Sequence, residues 1–475
     1  MLFKHSAIYM LARIIPGIMG FAALSVYTHL LTPEEYGIYT LIYTGTMFIH
    51  NGFINWLSAG TLRFWSNENY SNTSFISTLA ISYIKFAIVF FFIALAGVIY
   101  YWNHPQALWV TNIFFLLLAI SLYIITQNLF MAKIEPLNYA YITISYSILA
   151  FSFGALLAYL GYGASGVITG ITIGTALPAL FVFKKIWLPF NKKAYHPKLF
   201  KNMLVYGLPI SSAFFLEEIT KTADRFMLAG MQDKAQAGLY AVGYDLSGNS
   251  IFLLMTAINL AAYPVVIKLL DTEGKQAAMD YFRHYAILLI GVAVPAVVGL
   301  NLLGPDLVYL LIDKDYQDSV IFLLPWITVA LFLMGLQAFY FDLAFQLGHY
   351  TMGIVKIGIV IAIINIGLNY LLIPSMGIKG AAIATITSFA VGTVLSAIMG
   401  RKYFALPVPY QDFAKIILAS AFMGFCLWWL KDMRGWGWLG LQLALGIISY
   451  GMVVYAFNLL DIQSNVKSYI SQKMV

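Results

Sequence analysis

The chain has 475 residues, 61% of them hydrophobic and only 10% charged, with a formal net charge of +7. A soluble domain carries roughly 25% charged residues, so a water-soluble globule is excluded because it could not cover its own surface. The lone cysteine, Cys426, excludes an internal disulfide framework and reads, in its apolar run, as a small buried hydrophobe.

Apolar stretches of about 20 residues recur from end to end, the length that crosses a hydrocarbon core about 30 Å thick at about 1.5 Å per residue. The first, Met1 to about Leu31, shows no leader with a small-residue cleavage site and is expected as a retained transmembrane helix. About fourteen spans are predicted, centred near Gly17, Met47, Val89, Leu117, Leu149, Ile173, Phe215, Phe252, Val292, Leu333, Ile363, Ser388, Met423 and Ser449. The expected fold class is therefore all-α and polytopic.

Two short motifs recur at similar distances. Gly37-Ile38-Tyr39 follows the first span and Gly238-Leu239-Tyr240 the seventh. Gly163-Ala164-Ser165-Gly166 opens the sixth span, and Gly377-Ile378-Lys379-Gly380 opens the twelfth. This pattern predicts two pseudo-repeated six-helix lobes, 1–185 and 204–402, joined by a basic cytoplasmic linker, 186–203. Two additional helices and a cytoplasmic tail occupy 403–475.

Lys and Arg accumulate in cytoplasmic loops. With the N-terminus inside, seventeen fall in cytoplasmic segments, Arg63, Lys133, Lys185 and Lys201 among them, against five outside: Lys234, Lys314, Lys379, Lys431 and Arg434. Both termini are expected in the cytoplasm. The acidic segment Asp306, Asp313, Asp315 and Asp318 falls in an external loop. The positive balance is a topology signal, and no nucleic-acid partner is expected.

Leu31-Thr32-Pro33-Glu34-Glu35-Tyr36-Gly37-Ile38-Tyr39 resembles the polysaccharide-transport branch of the multidrug/oligosaccharidyl-lipid/polysaccharide exporter superfamily, which contains Wzx-type flippases. Ala223-Asp224-Arg225-Phe226-Met227-Leu228, followed by Gly238-Leu239-Tyr240, is similar to the same family's seventh-to-eighth span region. One departure is His29, where members often carry arginine just before the first motif. The resemblance implies a non-enzymatic flippase of the cytoplasmic membrane. It would move polyprenyl-phosphate- or pyrophosphate-linked oligosaccharide by alternating access, for cell-surface polysaccharide synthesis. The implied partners are the lipid-linked oligosaccharide, membrane lipids and polysaccharide assembly proteins, with no cofactor beyond Na⁺ or H⁺ as a coupling ion.

Charged residues inside spans cost about 2.5 to 3.5 kcal/mol each on insertion scales, so they tend to face a cavity, a partner or a pathway. The bases in this class are Arg13, Lys85, Lys221, Arg225 and Lys356; the acids are Glu217, Glu218, Asp224, Asp245 and Asp342. In a flippase, the bases are candidates for holding the anionic head group, Arg13 and Lys85 first. Glu217 and Lys221, four apart, and Lys221 and Asp224, three apart, read as a structural ion-pair ladder; Glu217, Asp245 or Asp342 could instead couple Na⁺ or H⁺. Pro16 and Pro209 occupy equivalent places in the two repeats and are candidate hinges. Gly166, Gly170 and Gly174 predict close helix packing.

Two other classes compete. A cation-coupled multidrug antiporter would use the second-lobe acids. A membrane glycosyltransferase or polymerase would use Glu34 and Glu35 as catalytic acids. The GxGxxG match at 161–166 lies between two spans, which fails the strand-to-helix context of a dinucleotide site.

Overall fold

The computed structural model describes residues 2–66 and 70–459, with side chains described for all of these except 2–11, 13 and 213. Among the described residues there is no strand. The helices in chain order are α1 (Leu2–Leu30), α2 (Pro33–Phe53), α3 (Asn55–Phe64), α4 (Asn72–Tyr100), α5 (Gln106–Ala132), α6 (Pro136–Leu157), α7 (Gly163–Phe181), α8 (Phe183–Trp187) and α9 (Pro197–Met231). They continue with α10 (Lys234–Ser247), α11 (Leu253–Thr272), α12 (Lys275–Leu311), α13 (Lys314–Leu336), α14 (Leu343–Leu347), α15 (Met352–Met376), α16 (Ile378–Gly400), α17 (Tyr410–Trp428) and α18 (Trp436–Ala456).

All the predicted span centres fall on helical segments, although among the described residues eleven helical stretches are long and apolar enough to cross a membrane. The difference has three sources. The stretch Pro136–Phe181 contains two predicted spans, α6 and α7. The described apolar part of α1, Ile14–Leu30, is short. Helix α2 carries Thr40, Thr44, Thr46, His50 and Asn51 and is too polar to qualify.

The chain divides into two compact units, Met1–Ala241 and Val242–Val475, and the division falls inside α10. The first unit thus holds the predicted first lobe, the linker and the seventh predicted span. The linker is shorter than expected, because α9 starts at Pro197 and takes Lys198 and Lys201 into its first turns. His196 caps that start by accepting from the Leu199 backbone N–H at 3.3 Å.

The Leu-Thr-Pro-Glu-Glu motif is a helix start. Thr32 accepts from Glu35 N at 3.3 Å, Glu35 Oε2 accepts from Thr32 N at 3.0 Å, and Pro33 opens α2. This reciprocal cap satisfies donors that the first turn would otherwise leave unpaired. Helices α6 and α7 form a hairpin: a Cβ on Gly170 would lie 2.2 Å from Gly154 N, and one on Gly174 2.2 Å from Ala150 N. The predicted small face is therefore a backbone contact. Its turn contains Gly163 at φ 53° and ψ −141°. In the second unit the turn between α15 and α16 contains Gly377 at φ 53° and ψ −131°. The two repeated motifs thus make nearly the same backbone turn, in a region that favours glycine.

The core of the first unit is built from Ile54, Leu57, Phe75, Leu79, Leu129 and Leu199, all fully or almost fully buried. On α4, by contrast, Phe92, Ile93 and Ile99 are about 60% exposed, as a lipid-facing surface requires. In the second unit, α17 and α18 pack against α12 through Leu303, Met423, Leu427 and Leu439. Asp306 lies inside α12, buried, rather than in an external loop as expected; it accepts from Gln442 Nε2 at 3.3 Å and pairs with Arg434 at 3.9 Å. The helix carries on because its apolar residues continue through Pro305 to Leu311, leaving a connection only at Ile312 and Asp313. Cys426 is half-buried.

Candidate functional site: the charged face of α9 and its partners

Helix α9 presents Glu217, Glu218, Lys221, Asp224 and Arg225 over successive turns, a spacing that keeps i, i+4 and i+7 on one side. Lys221 Nζ lies 2.6 Å from Glu217 Oε1, the first rung of the predicted ladder. Neither side chain is fully covered by the protein.

The other members turn inward. Glu218 accepts from Asn51 Nδ2 on α2 at 3.0 Å. Asp224 is fully buried and accepts from the Tyr240 hydroxyl on α10 at 2.7 Å. Arg225, 6% exposed, donates through Nη1 to Thr40 Oγ1 on α2 at 2.7 Å. Buried charges are tolerated only when hydrogen-bonded, so these contacts fix α9 against α2 and α10. Thr40 and Asn51 on α2 and Tyr240 on α10 are polar side chains that become legible as partners once these helices are known to meet α9.

Where α2 and α10 begin, the two repeated glycines meet each other. A Cβ on Gly37 would lie 1.9 Å from Lys234 O, and one on Gly238 would lie 2.1 Å from Pro33 O. Each glycine thus faces the backbone four residues before the other. Beside this crossing Lys234 Nζ pairs with Glu34 at 3.6 Å and lies 4.9 Å from the centre of the Trp109 ring. Both glutamates of the motif have structural roles, Glu35 in the cap and Glu34 in this ion pair.

The remaining sequence candidates are dispersed. Lys85 Nζ donates to Tyr195 OH at 3.3 Å and lies 4.6 Å from that ring's centre. Lys356, one turn into α15, donates to Tyr350 OH at 2.8 Å; Tyr350 stacks on Tyr403 at 4.3 Å. The neighbouring ammonium holds the Tyr350 hydroxyl below its ordinary pKa. These two lysines reach toward helix-end aromatics, as snorkelling side chains do. Asp342 follows a π-helical turn, is buried, and accepts from Ser396 Oγ at 2.6 Å and Gln337 Nε2 at 3.4 Å. Asp245 is half-buried on α10. Pro16 and Pro209 sit inside α1 and α9, which continue through them. The side chain of Arg13 lies outside the described residues.

Comparison with known proteins assigns the chain to a family. Residues 26–321, more than half of it, match the profile of a family described as "Polysaccharide biosynthesis protein". The chain belongs to this family. A Haloferax volcanii relative named "Probable flippase AglR" is 26% identical over 257 residues, covering 52% of this chain and 52% of that protein. The chain therefore spans about half the length of that curated relative. Among solved structures, lipid II flippase MurJ in an inward closed conformation has a TM-score of 0.73 at 17% identity, covering 96% of this chain and 99% of MurJ. An inward-facing multidrug resistance MATE transporter has a TM-score of 0.62 at 15% identity, covering 86% and 99%. At these identities the likeness is one of fold, and flippases and drug transporters share it.

Proposed function

We propose that this member of the polysaccharide biosynthesis family is a flippase for oligosaccharide linked to a polyprenyl phosphate or pyrophosphate. It moves the head group from the cytoplasmic to the outer leaflet by alternating access while the prenyl chain stays in the bilayer. The observation that carries this reading is the family match over residues 26–321, whose description favours polysaccharide transport over drug export. The charge asymmetry of the loops supports a cytoplasmic-membrane location with both termini inside. The structural roles of Glu34 and Glu35 favour transport over glycosyl transfer. Polysaccharide assembly proteins are the expected neighbours.

The test is the sidedness of lipid-linked oligosaccharide in cells lacking the protein. Accumulation on the cytoplasmic leaflet, corrected by the wild-type gene, supports flipping. Unchanged sidedness, in a strain with no second flippase, refutes it.

The MATE-like fold and the buried Asp342 favour a second reading, a cation-coupled multidrug antiporter. That reading predicts drug resistance on overexpression and no polysaccharide defect on deletion.

A further inference from the structure

Two cavities open along the seam where α3 packs on α9, within the first compact unit. One, of about 410 Å³, is lined by Asn55, Ser58, Arg63, Asn128 and Tyr206 together with apolar side chains. The second, of about 610 Å³, is lined by Lys201, Asn202, Val205, Tyr206 and Pro209 together with Phe64. Tyr206 is common to both, so the two adjoin. Among the described residues, the lining of each contains a base and no carboxylate.

Four features give this seam the character of a receptor for an anionic amphiphile. First, Arg63 is exposed, its guanidinium carbon lies 6.0 Å from the Tyr206 ring centre, and no ion pair occupies it among the described residues. A guanidinium presents a planar fork of donors suited to phosphate oxygens. Second, Ser58 is 3% exposed and lines the first cavity, yet its Oγ has no hydrogen-bond partner among the described residues. Buried polar groups are ordinarily satisfied, so this enclosed hydroxyl is an unmet donor and acceptor at the cavity's edge. Third, Pro209 lines the second cavity together with Val205, four residues earlier, and has no N–H to donate to the Val205 carbonyl. Fourth, Leu62, Val205 and Phe214, which border the seam, are all more than 40% exposed and offer an apolar track beside the charged pocket.

We propose that Arg63, with Ser58, Asn55 and Asn128 beside it and Lys201 beyond Tyr206, forms a binding site for the phosphate or pyrophosphate of a prenyl lipid. The apolar residues bordering the seam take the start of the prenyl chain. This site deepens the flippase reading and rests on it. Sequence alone counts Arg63 and Lys201 as loop charges that orient the protein; their convergence on one seam is visible only when α3 and α9 are packed together.

The experiment uses full-length protein in detergent and titration calorimetry. Farnesyl pyrophosphate is the probe, with farnesol, inorganic pyrophosphate and phosphatidylglycerol as separate arms. The wild type is expected to bind farnesyl pyrophosphate at least tenfold more tightly than any of the other three. Arg63→Ala lowers that affinity at least tenfold. Arg63→Lys, which keeps the charge but loses the fork, gives an intermediate value and guards against misfolding of the alanine variant. Arg283→Ala, which removes an exposed arginine of the second unit, leaves binding unchanged. Equal affinity in Arg63→Ala and wild type, or no preference for farnesyl pyrophosphate in the wild type, overturns the site. Inorganic pyrophosphate binding as tightly as farnesyl pyrophosphate overturns the prenyl part of the assignment. Because sidedness in cells is measured separately, failure of this site leaves the flippase reading standing, and failure of flipping is seen without reference to Arg63.

Discussion

The contact between the two repeated glycines offers a sharp test, and Gly238→Ala is the perturbation. An added methyl would sit 2.1 Å from Pro33 O and 2.8 Å from Gly37 N, both backbone atoms that no side-chain rotation can move. A relaxed carbon-to-oxygen approach is about 3.3 Å, so the starts of α2 and α10 must separate by roughly 1 Å. Overpacking of this kind costs about 1 to 3 kcal/mol, against which alanine recovers about 1 kcal/mol of helix propensity. The net expectation is a loss of about 0 to 2 kcal/mol. Gly37→Ala should behave similarly, since its methyl would meet Lys234 O at 1.9 Å. The double variant should lose less than the sum of the two, because helices already parted for one methyl have made room for the second. Thermal unfolding of the purified protein in detergent reads all three. Two single variants each more stable than the wild type by the full propensity gain, or strictly additive losses, would refute the close crossing.

Two further outcomes follow from the buried polar groups. Tyr240→Phe removes the hydroxyl that donates to Asp224 at 2.7 Å and should destabilise the protein by about 1.5 to 3 kcal/mol, read by the same unfolding assay; an unchanged melting temperature would mean that Asp224 is satisfied without it. Asp342→Asn keeps the size of the side chain that Ser396 and Gln337 contact, and it should abolish any Na⁺ or pH dependence of transport in proteoliposomes while leaving the protein folded; transport with its ion dependence intact would remove Asp342 from the coupling scheme.

The hydrophobic lengths made the helical fold readable, because a span is announced by its own run of residues; the Thr32–Glu35 cap that opens α2 is equally local, though it stood in the sequence only as part of a family motif. Glu217 with Lys221 was readable for the same reason, being four residues apart on one helix. What escaped are contacts whose partners are far apart in the chain. Arg225 with Thr40 spans 185 positions and Glu218 with Asn51 spans 167, and no spacing rule selects such pairs. Gly37 and Gly238 were legible as equivalents in a repeat, yet equivalence says nothing about touching. Asp306 was misplaced because a cluster of aspartates resembles a loop; its burial depends on Gln442, far along the chain.

The glycine turns at Gly163 and Gly377 also bear on biogenesis. Between α6 and α7 only residues 158–162 intervene, and between α15 and α16 a single residue does. Connections this short leave no hydrophilic segment to be translocated separately. Each pair is thus expected to enter the bilayer as one hairpin, already in register through its glycine contacts, and a defect in either turn would fall on insertion before it could affect transport.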